Sequence, residues 1–172
     1  MPEILKAAAA KPSHGSDPEL SERVRSLIAD IEARGEAAVR EMSSQFDNWS
    51  PTQFRLSLGE IDRIVSGVDA NTAEDIKFAQ SQIRNFAQAQ LESIGDTEIE
   101  TMPGVVLGHK NIPVESVGAY VPGGRYPMVA SAHMSVLTAK VAGVSRVAAC
   151  TPPIGGTVPA ETVAAMHFAG AD

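Results

Sequence analysis

The sequence predicts an α/β protein in which a helical N-terminal segment precedes the first half of a parallel-sheet domain. Charge is concentrated in residues 1–100, with 10 basic and 18 acidic groups, whereas residues 101–172 carry 4 and 3. Apolar residues recur at helical spacing in the first region, and form short runs separated by Gly and Pro in the second. We therefore expect two domains, residues 1–95 and residues 96–172, of which the second is incomplete.

Four helices are predicted in the first segment. Asp17-Pro18 is an N-cap followed by proline at the first helical position, and Arg34-Gly35 is a suitable end for that helix. A second, short helix ends at Trp49-Ser50-Pro51. The sequence Ser57-Leu-Gly-Glu60 fits a capping box at the start of a third helix. A longer fourth helix is expected over residues 72–93.

The second segment changes to strand patterns. The predicted elements are strands over residues 98–102, 105–109 and 116–121, a helix over 128–144, a strand over 146–151 and a helix over 157–169. Strand, Gly-rich turn, helix, strand and helix form a βαβ unit, which requires a parallel sheet and a right-handed crossover. Ligands bind at the carboxyl ends of strands in such sheets, so we expect a site at residues 120–125 and 151–156.

Composition excludes several classes of protein. The 172 residues carry a formal net charge of −7, which argues against a surface for nucleic acid or for an anionic membrane. No apolar stretch approaches the roughly 20 residues of a membrane-spanning helix, and residues 6–11 are too short an apolar region for a secretory signal. The single cysteine, Cys150, excludes an intramolecular disulfide. We expect a cytoplasmic protein that binds neither nucleic acid nor membrane.

The loop Pro122-Gly123-Gly124-Arg125 is the main candidate site. It follows a predicted strand and opens a predicted helix, so its free amides and the helix dipole are suited to hold an anion. It matches neither the dinucleotide-binding glycine motif nor a P-loop. The residues alone leave two interpretations open, a ligand contact and a tight turn.

The other chemically reactive residues show no catalytic pattern. None of the histidines, His14, His109, His133 and His167, pairs with another His, Asp or Glu at metal spacing. We expect His14, His109 and His167 to be surface residues or satisfied core residues. Cys150 ends an apolar strand, which favours a small buried hydrophobe over a nucleophile.

A contiguous block from about residue 103 to residue 172 resembles the histidinol dehydrogenase family. It contains Pro113-Val-Glu-Ser-Val-Gly-Ala-Tyr-Val-Pro-Gly-Gly124, Ala139-Lys-Val-Ala-Gly143 and Val147-Ala-Ala-Cys-Thr-Pro-Pro153, and its V-G-x-Y-V-P-G-G element is specific. The N-terminal segment is compatible through residues 31–39 and Phe46-Asp47. The resemblance implies NAD-dependent, zinc-requiring oxidation of a small-molecule alcohol by a homodimer with Rossmann-like domains.

The resemblance also implies where the functional residues lie. The cofactor tyrosine of the family motif maps onto Tyr120, and we expect Pro122, Gly123 and Gly124 to contact NAD with it. The family's zinc ligands (a Gln, two His and an Asp) and its Glu-His acid/base pair are expected beyond residue 172. This sequence is therefore expected to hold no catalytic or metal-binding residue, and to be a truncated Rossmann-like chain that cannot turn over substrate alone.

Residues after the loop bear on the substrate. Histidinol enzymes commonly have Ser-Thr where this sequence has Ala130-Ser131, and an apolar residue where it has His133. This version resembles the sulfopropanediol dehydrogenases, which oxidise 2,3-dihydroxypropane-1-sulfonate to sulfolactate. Arg125 suits an anionic substrate or the cofactor's pyrophosphate, with a simple surface role as the open alternative. Arg125, Ser131 and His133 are thus predicted to bind substrate.

Three functions remain open at this point. The sulfonate substrate is favoured, and L-histidinol is the alternative substrate. A non-catalytic binding or dimerisation module is the alternative from another class of protein.

Overall fold

A computed structural model shows seven α-helices and four strands among the residues it describes, which are 17–123 and 126–172. His14, Gly124 and Arg125 lie outside these ranges, so their predicted roles are not addressed by the structure. The described residues form two compact units, one ending at Ser50 and one from Pro51 to Asp172. No helix in the described ranges is long and apolar enough to cross a membrane.

The first unit contains helices α1 (Pro18–Arg34) and α2 (Glu36–Asp47). The Asp17 carboxylate caps α1 by accepting a hydrogen bond from the Glu19 amide at 3.0 Å, which confirms the predicted N-cap. Gly35, with φ of +59°, joins the two helices in a conformation that favours glycine.

The second unit begins with helices α3 (Leu58–Ser66) and α4 (Ala70–Ser93). The predicted capping box is present: the Glu60 amide donates to Ser57 Oγ at 3.3 Å, and the Ser57 amide donates to Glu60 Oε2 at 2.8 Å. The Asp69 side chain caps α4 by accepting from the Thr72 amide at 3.0 Å, so α4 begins two residues before the predicted start.

An antiparallel hairpin follows, made of β1 (Thr97–Met102) and β2 (Val105–His109). Gly104 has φ of +80°, as the second central residue of a Pro-Gly turn requires. Every residue of both strands is exposed. The predicted hairpin is therefore confirmed, but none of its side chains reaches a core.

The parallel pair consists of β3 (Ser116–Tyr120) and β4 (Arg146–Cys150). The crossover between them is one helical segment, made of α5 (Val129–Ala132), a π-helical turn (His133–Leu137) and α6 (Thr138–Val141), and α7 (Ala160–Ala169) follows β4. The predicted βαβ unit is thus confirmed, and the chain has the predicted α/β fold with helices preceding a parallel sheet.

The core lies on one face of this parallel pair. Its fully buried side chains include Val121, Val136, Leu137, Val147 and Thr162. Burial alternates along both strands, so Tyr120 and Cys150 lie on the opposite face, which is exposed. The expectation of a buried Cys150 is wrong, because the described helices pack on one face of the pair alone.

The predicted domains and the compact units divide the chain at different places. Helices α3 and α4 belong to the same unit as the strands, and α4 contributes Ile76 to the core. A domain boundary at residues 95–96 remains a prediction about the organisation of the protein.

Candidate functional site

Tyr120 lies at the carboxyl end of β3, where the sheet register places it beside Cys150. Pairing continues for one more residue, because the Val121 amide donates to the Cys150 carbonyl at 2.8 Å. Val121 is fully buried, and the alternation along the strand therefore turns Tyr120 to the open face, with 64% of the residue exposed. An exposed aromatic ring at this edge is available to pack against a flat ligand.

The loops after β3 and β4 approach each other closely at Gly123. A Cβ atom at this position would lie 2.9 Å from Cγ of Pro152 and 3.7 Å from Cγ1 of Ile154. A larger residue would collide with the Pro152 ring, so glycine is required here for the packing of the two loops. This contact supports the tight-turn interpretation for Gly123, and its predicted contact with a cofactor, like that of Pro122, remains a prediction.

The loop does not run directly into a helix. Helix α5 begins at Val129, and Tyr126, Pro127 and Met128 precede it in non-helical structure. Proline at 127 disfavours helical backbone at Tyr126, which explains the delayed start. Helix α5 thus begins one residue after the predicted start at residue 128, with three non-helical residues between the loop and the helix.

The same edge holds an unsatisfied polar atom. The Thr151 hydroxyl, directly after β4, is buried and has no hydrogen-bond partner among the residues that the structure describes. A buried hydroxyl without a partner is unfavourable by about 1–3 kcal/mol, and its burial keeps this oxygen from contacting a ligand directly. The exposed Tyr120 ring is therefore the feature of this edge that fits a dinucleotide at the carboxyl ends of the strands.

His133 and Ser131 lie on the crossover segment rather than at this edge. His133 is buried, and its Nδ1 atom is 3.1 Å from Nε2 of Gln80 on α4. Its burial lowers the pKa of the imidazole below the usual value. Ser131 is half-buried, and its carbonyl accepts a hydrogen bond from the Ser135 hydroxyl at 2.7 Å.

A cleft of about 450 Å³ opens beside His133. It is lined by two residues of α4 and α7 that carry carboxylates, Asp75 and Glu161, and by apolar residues that include Ile76 and Val129. Tyr120 is not among its lining residues, so the predicted substrate residue and the predicted cofactor residue do not share this cleft.

Sequence reasoning missed Gln80. Its side chain lies four residues after Ile76 on the inward face of α4, and 5% of the residue is exposed. A polar residue at an inward position of an apolar helix face was a usable signal. Its partners are 53 and 85 residues away in the chain, however, and no local pattern identifies them.

No metal site is found in the described ranges. No group of three His, Cys, Asp or Glu side chains there could hold a metal ion. His109 and His167 are exposed, as expected. The described residues therefore do not fit a zinc site, and no zinc chemistry is assigned to them.

The fold and this edge define an α/β protein of the kind that binds ligands at the carboxyl ends of parallel strands. A family model described as histidinol dehydrogenase matches residues 10–172. The chain belongs to the histidinol dehydrogenase family, a family of dehydrogenases.

Individual relatives agree with this family. A "Histidinol dehydrogenase homolog" of Shouchella clausii is 66% identical over 94% of this chain and 38% of its own length. The "Sulfopropanediol 3-dehydrogenase" of Ruegeria pomeroyi is 42% identical over 98% of this chain and 38% of its own length. The crystal structure of histidinol dehydrogenase from Elizabethkingia anophelis superposes with a TM-score of 0.82, at 26% identity, over 94% of this chain and 37% of that one.

This chain therefore spans little more than a third of the length of these relatives.

Proposed function

We propose that this chain is part of an NAD-dependent, zinc-requiring dehydrogenase that oxidises the primary alcohol of 2,3-dihydroxypropane-1-sulfonate to sulfolactate. The observation that carries the proposal is membership of the dehydrogenase family, joined to an exposed tyrosine at the carboxyl edge of a parallel sheet. The protein is proposed to act in the cytoplasm as a homodimer.

In this proposal the chain supplies cofactor contacts. The Tyr120 ring packs on the dinucleotide while its hydroxyl hydrogen-bonds, and the loop from Pro122 holds the backbone close to the ligand. Gly123 brings that loop against Pro152, which fixes the edge on which the cofactor lies. A bound zinc ion would lower the pKa of the substrate alcohol, but its ligands and the general base are proposed to lie beyond residue 172.

Two features support a sulfonate substrate. A sulfopropanediol dehydrogenase matches nearly the whole chain at 42% identity, and the Arg125 guanidinium suits an anionic group. L-Histidinol is the second candidate, supported by the structural match to a histidinol dehydrogenase.

The experiment is turnover by the full-length protein with NAD and zinc, followed by NADH absorbance. We expect oxidation of 2,3-dihydroxypropane-1-sulfonate, with little oxidation of L-histidinol. Oxidation of histidinol alone would replace the proposed substrate by the second candidate. Turnover of neither, in a folded and metal-loaded protein, would favour the non-catalytic binding module.

An arginine pair sharpens this test. Arg125→Ala is expected to raise KM for the sulfonate by about tenfold or more, since a charge-assisted hydrogen bond contributes about 1.5–3 kcal/mol. Arg146→Ala is the matched control, because Arg146 is exposed at the opposite, amino end of β4. A higher KM for NAD instead would place Arg125 at the cofactor's pyrophosphate.

A further inference from the structure

The side chains of Gln80 and His133 form a buried polar pair between α4 and the crossover segment. Only 5% of each residue is exposed. The Gln80 Nε2 atom lies 2.8 Å from the carbonyl oxygen of Ala165 on α7 and 3.1 Å from Nδ1 of His133. One side-chain amide thus connects α4, α7 and the π-helical turn that carries His133.

The chemistry of these three groups fixes the position of the imidazole proton. A backbone carbonyl can only accept, so the Gln80 atom beside Ala165 must be the amide nitrogen. The same nitrogen donates its second hydrogen to Nδ1 of His133, which must therefore be an unprotonated acceptor. The proton of the neutral ring is then on Nε2.

Charged groups lie on both sides of the Gln80–His133 pair. Asp75 of α4 and Glu161 of α7 line the cleft beside His133 and favour a protonated ring. Lys77 and Arg84 of α4 line a second cleft, which Gln80 also lines, and their positive charges oppose a protonated ring. Burial also opposes the charge and lowers the pKa of His133, and a proton on Nδ1 would face the Gln80 NH₂ group.

We propose that Gln80 is a positioning residue that holds His133 as a neutral imidazole with its proton on Nε2, so that the cleft between α4 and α7 presents a hydrogen-bond donor to a ligand oxygen. The Nδ1 atom is occupied by Gln80, and no hydrogen bond to Nε2 is formed by the described residues. A donor at the wall of the cleft selects ligands that carry an acceptor.

The lining of the cleft narrows the class of ligand. Ile76, Pro127 and Val129 supply apolar surface, whereas Asp75 and Glu161 repel anions. A small molecule with an uncharged acceptor oxygen next to an apolar group is complementary to this lining: the oxygen accepts from His133, the apolar group packs on the apolar residues, and no negative charge meets the carboxylates. A sulfonate or carboxylate group is not, because both carboxylates of the lining repel it.

The tautomer is testable by NMR of the full-length protein labelled with ¹⁵N-histidine, with the His133 signals identified by their loss in His133→Gln. We expect the Nε2–H tautomer at neutral pH. Gln80→Glu places a carboxylate acceptor beside Nδ1, and it should raise the apparent pKa of His133 by about one unit or more. Gln82→Glu, at an exposed position of the same helix, is the matched control and should leave His133 unchanged.

Two results would overturn the positioning role: a proton on Nδ1 of the wild-type ring, or an unchanged His133 in Gln80→Glu. If Gln80→Glu fails to fold, Gln80→Leu gives the same decision, because it removes the donor to Nδ1 and should raise the population of the Nδ1–H tautomer. These readouts do not depend on turnover, so they stand apart from the proposed dehydrogenase activity.

The ligand class is tested with a matched pair of probes. Benzamide, which has a neutral acceptor oxygen, should shift the His133 Nε2–H signal, and benzoate should bind at least tenfold more weakly. Equal binding of the two probes, or no shift with either, would overturn the assignment of the cleft to uncharged acceptors.

Discussion

The two strand pairs among the described residues have similar lengths, but only the parallel pair buries some of its side chains. In the β1–β2 hairpin every residue is exposed, including Ile99 and Leu107 at 59% and 56%. In the β3–β4 pair, Val147 is fully buried and one face packs on the helices. The difference follows from topology, because a parallel pair requires a crossover that returns along the sheet, and the crossover helix then covers one face.

The sequence pattern of a strand therefore predicts its pairing partner more reliably than it predicts which of its side chains are buried. The hairpin is specified by its Pro-Gly turn and its ladder, which are local. The parallel pair is specified by residues distant in the chain that meet in one core. Substitutions should therefore lower the free energy of unfolding strongly in the β3–β4 core and weakly in the hairpin.

The largest expected effect is the loss of a core leucine. Leu137 is fully buried, so Leu137→Ala should lower the free energy of unfolding by about 2–5 kcal/mol. Leu107→Ala removes the same atoms from the exposed hairpin and should cost less than about 0.5 kcal/mol. Urea denaturation of the two variants measures the contrast. Equal destabilisation would show that the hairpin is packed against a core of its own.

A smaller effect is expected where the two loops meet. Gly123→Ala forces a Cβ against the Pro152 ring and should destabilise the fold by about 1–2 kcal/mol. Gly118→Ala is the matched control, since a Cβ there meets nothing within 4 Å. If the two variants had equal unfolding midpoints, the close approach of the loops would be absent in solution.

The smallest effect concerns pH. The folded state lowers the pKa of His133 from 6.5, so the unfolded chain binds a proton more readily. Stability contributed by the neutral ring is present above pH 6.5 and falls as the pH drops below that value toward the folded pKa. His133→Gln should flatten this part of the profile of unfolding free energy against pH. An unchanged slope in His133→Gln would contradict the assignment.

Local signals predicted much of the fold. Three local features were predictable from the sequence, because each depends on contacts within four residues: the Asp17 cap, the Ser57 capping box and the turn at Gly104. The parallel pairing of β3 and β4 was also readable, since a helical connection between strands constrains their direction.

Features that depend on contacts between residues far apart in the chain could not be predicted from the sequence. The exposure of Cys150 depends on which face of the sheet the helices cover, and no local sequence pattern predicts which face that is. The Gln80 bonds to His133 and Ala165 join three helical segments whose packing is set by the whole core. Of the predicted site, Tyr120 lies at the expected edge, while His133 faces a separate cleft.

The most direct test of the account is the affinity of the full-length protein for NAD, measured by calorimetry on a tyrosine pair. Tyr120→Ala should weaken NAD binding by about 1–2 kcal/mol, because it removes an aromatic surface and a hydrogen bond. Tyr126→Ala removes the other tyrosine, which is equally exposed at 67% and has no assigned contact, and it should leave the affinity unchanged. Unchanged NAD affinity in Tyr120→Ala would contradict the cofactor site at the carboxyl end of β3.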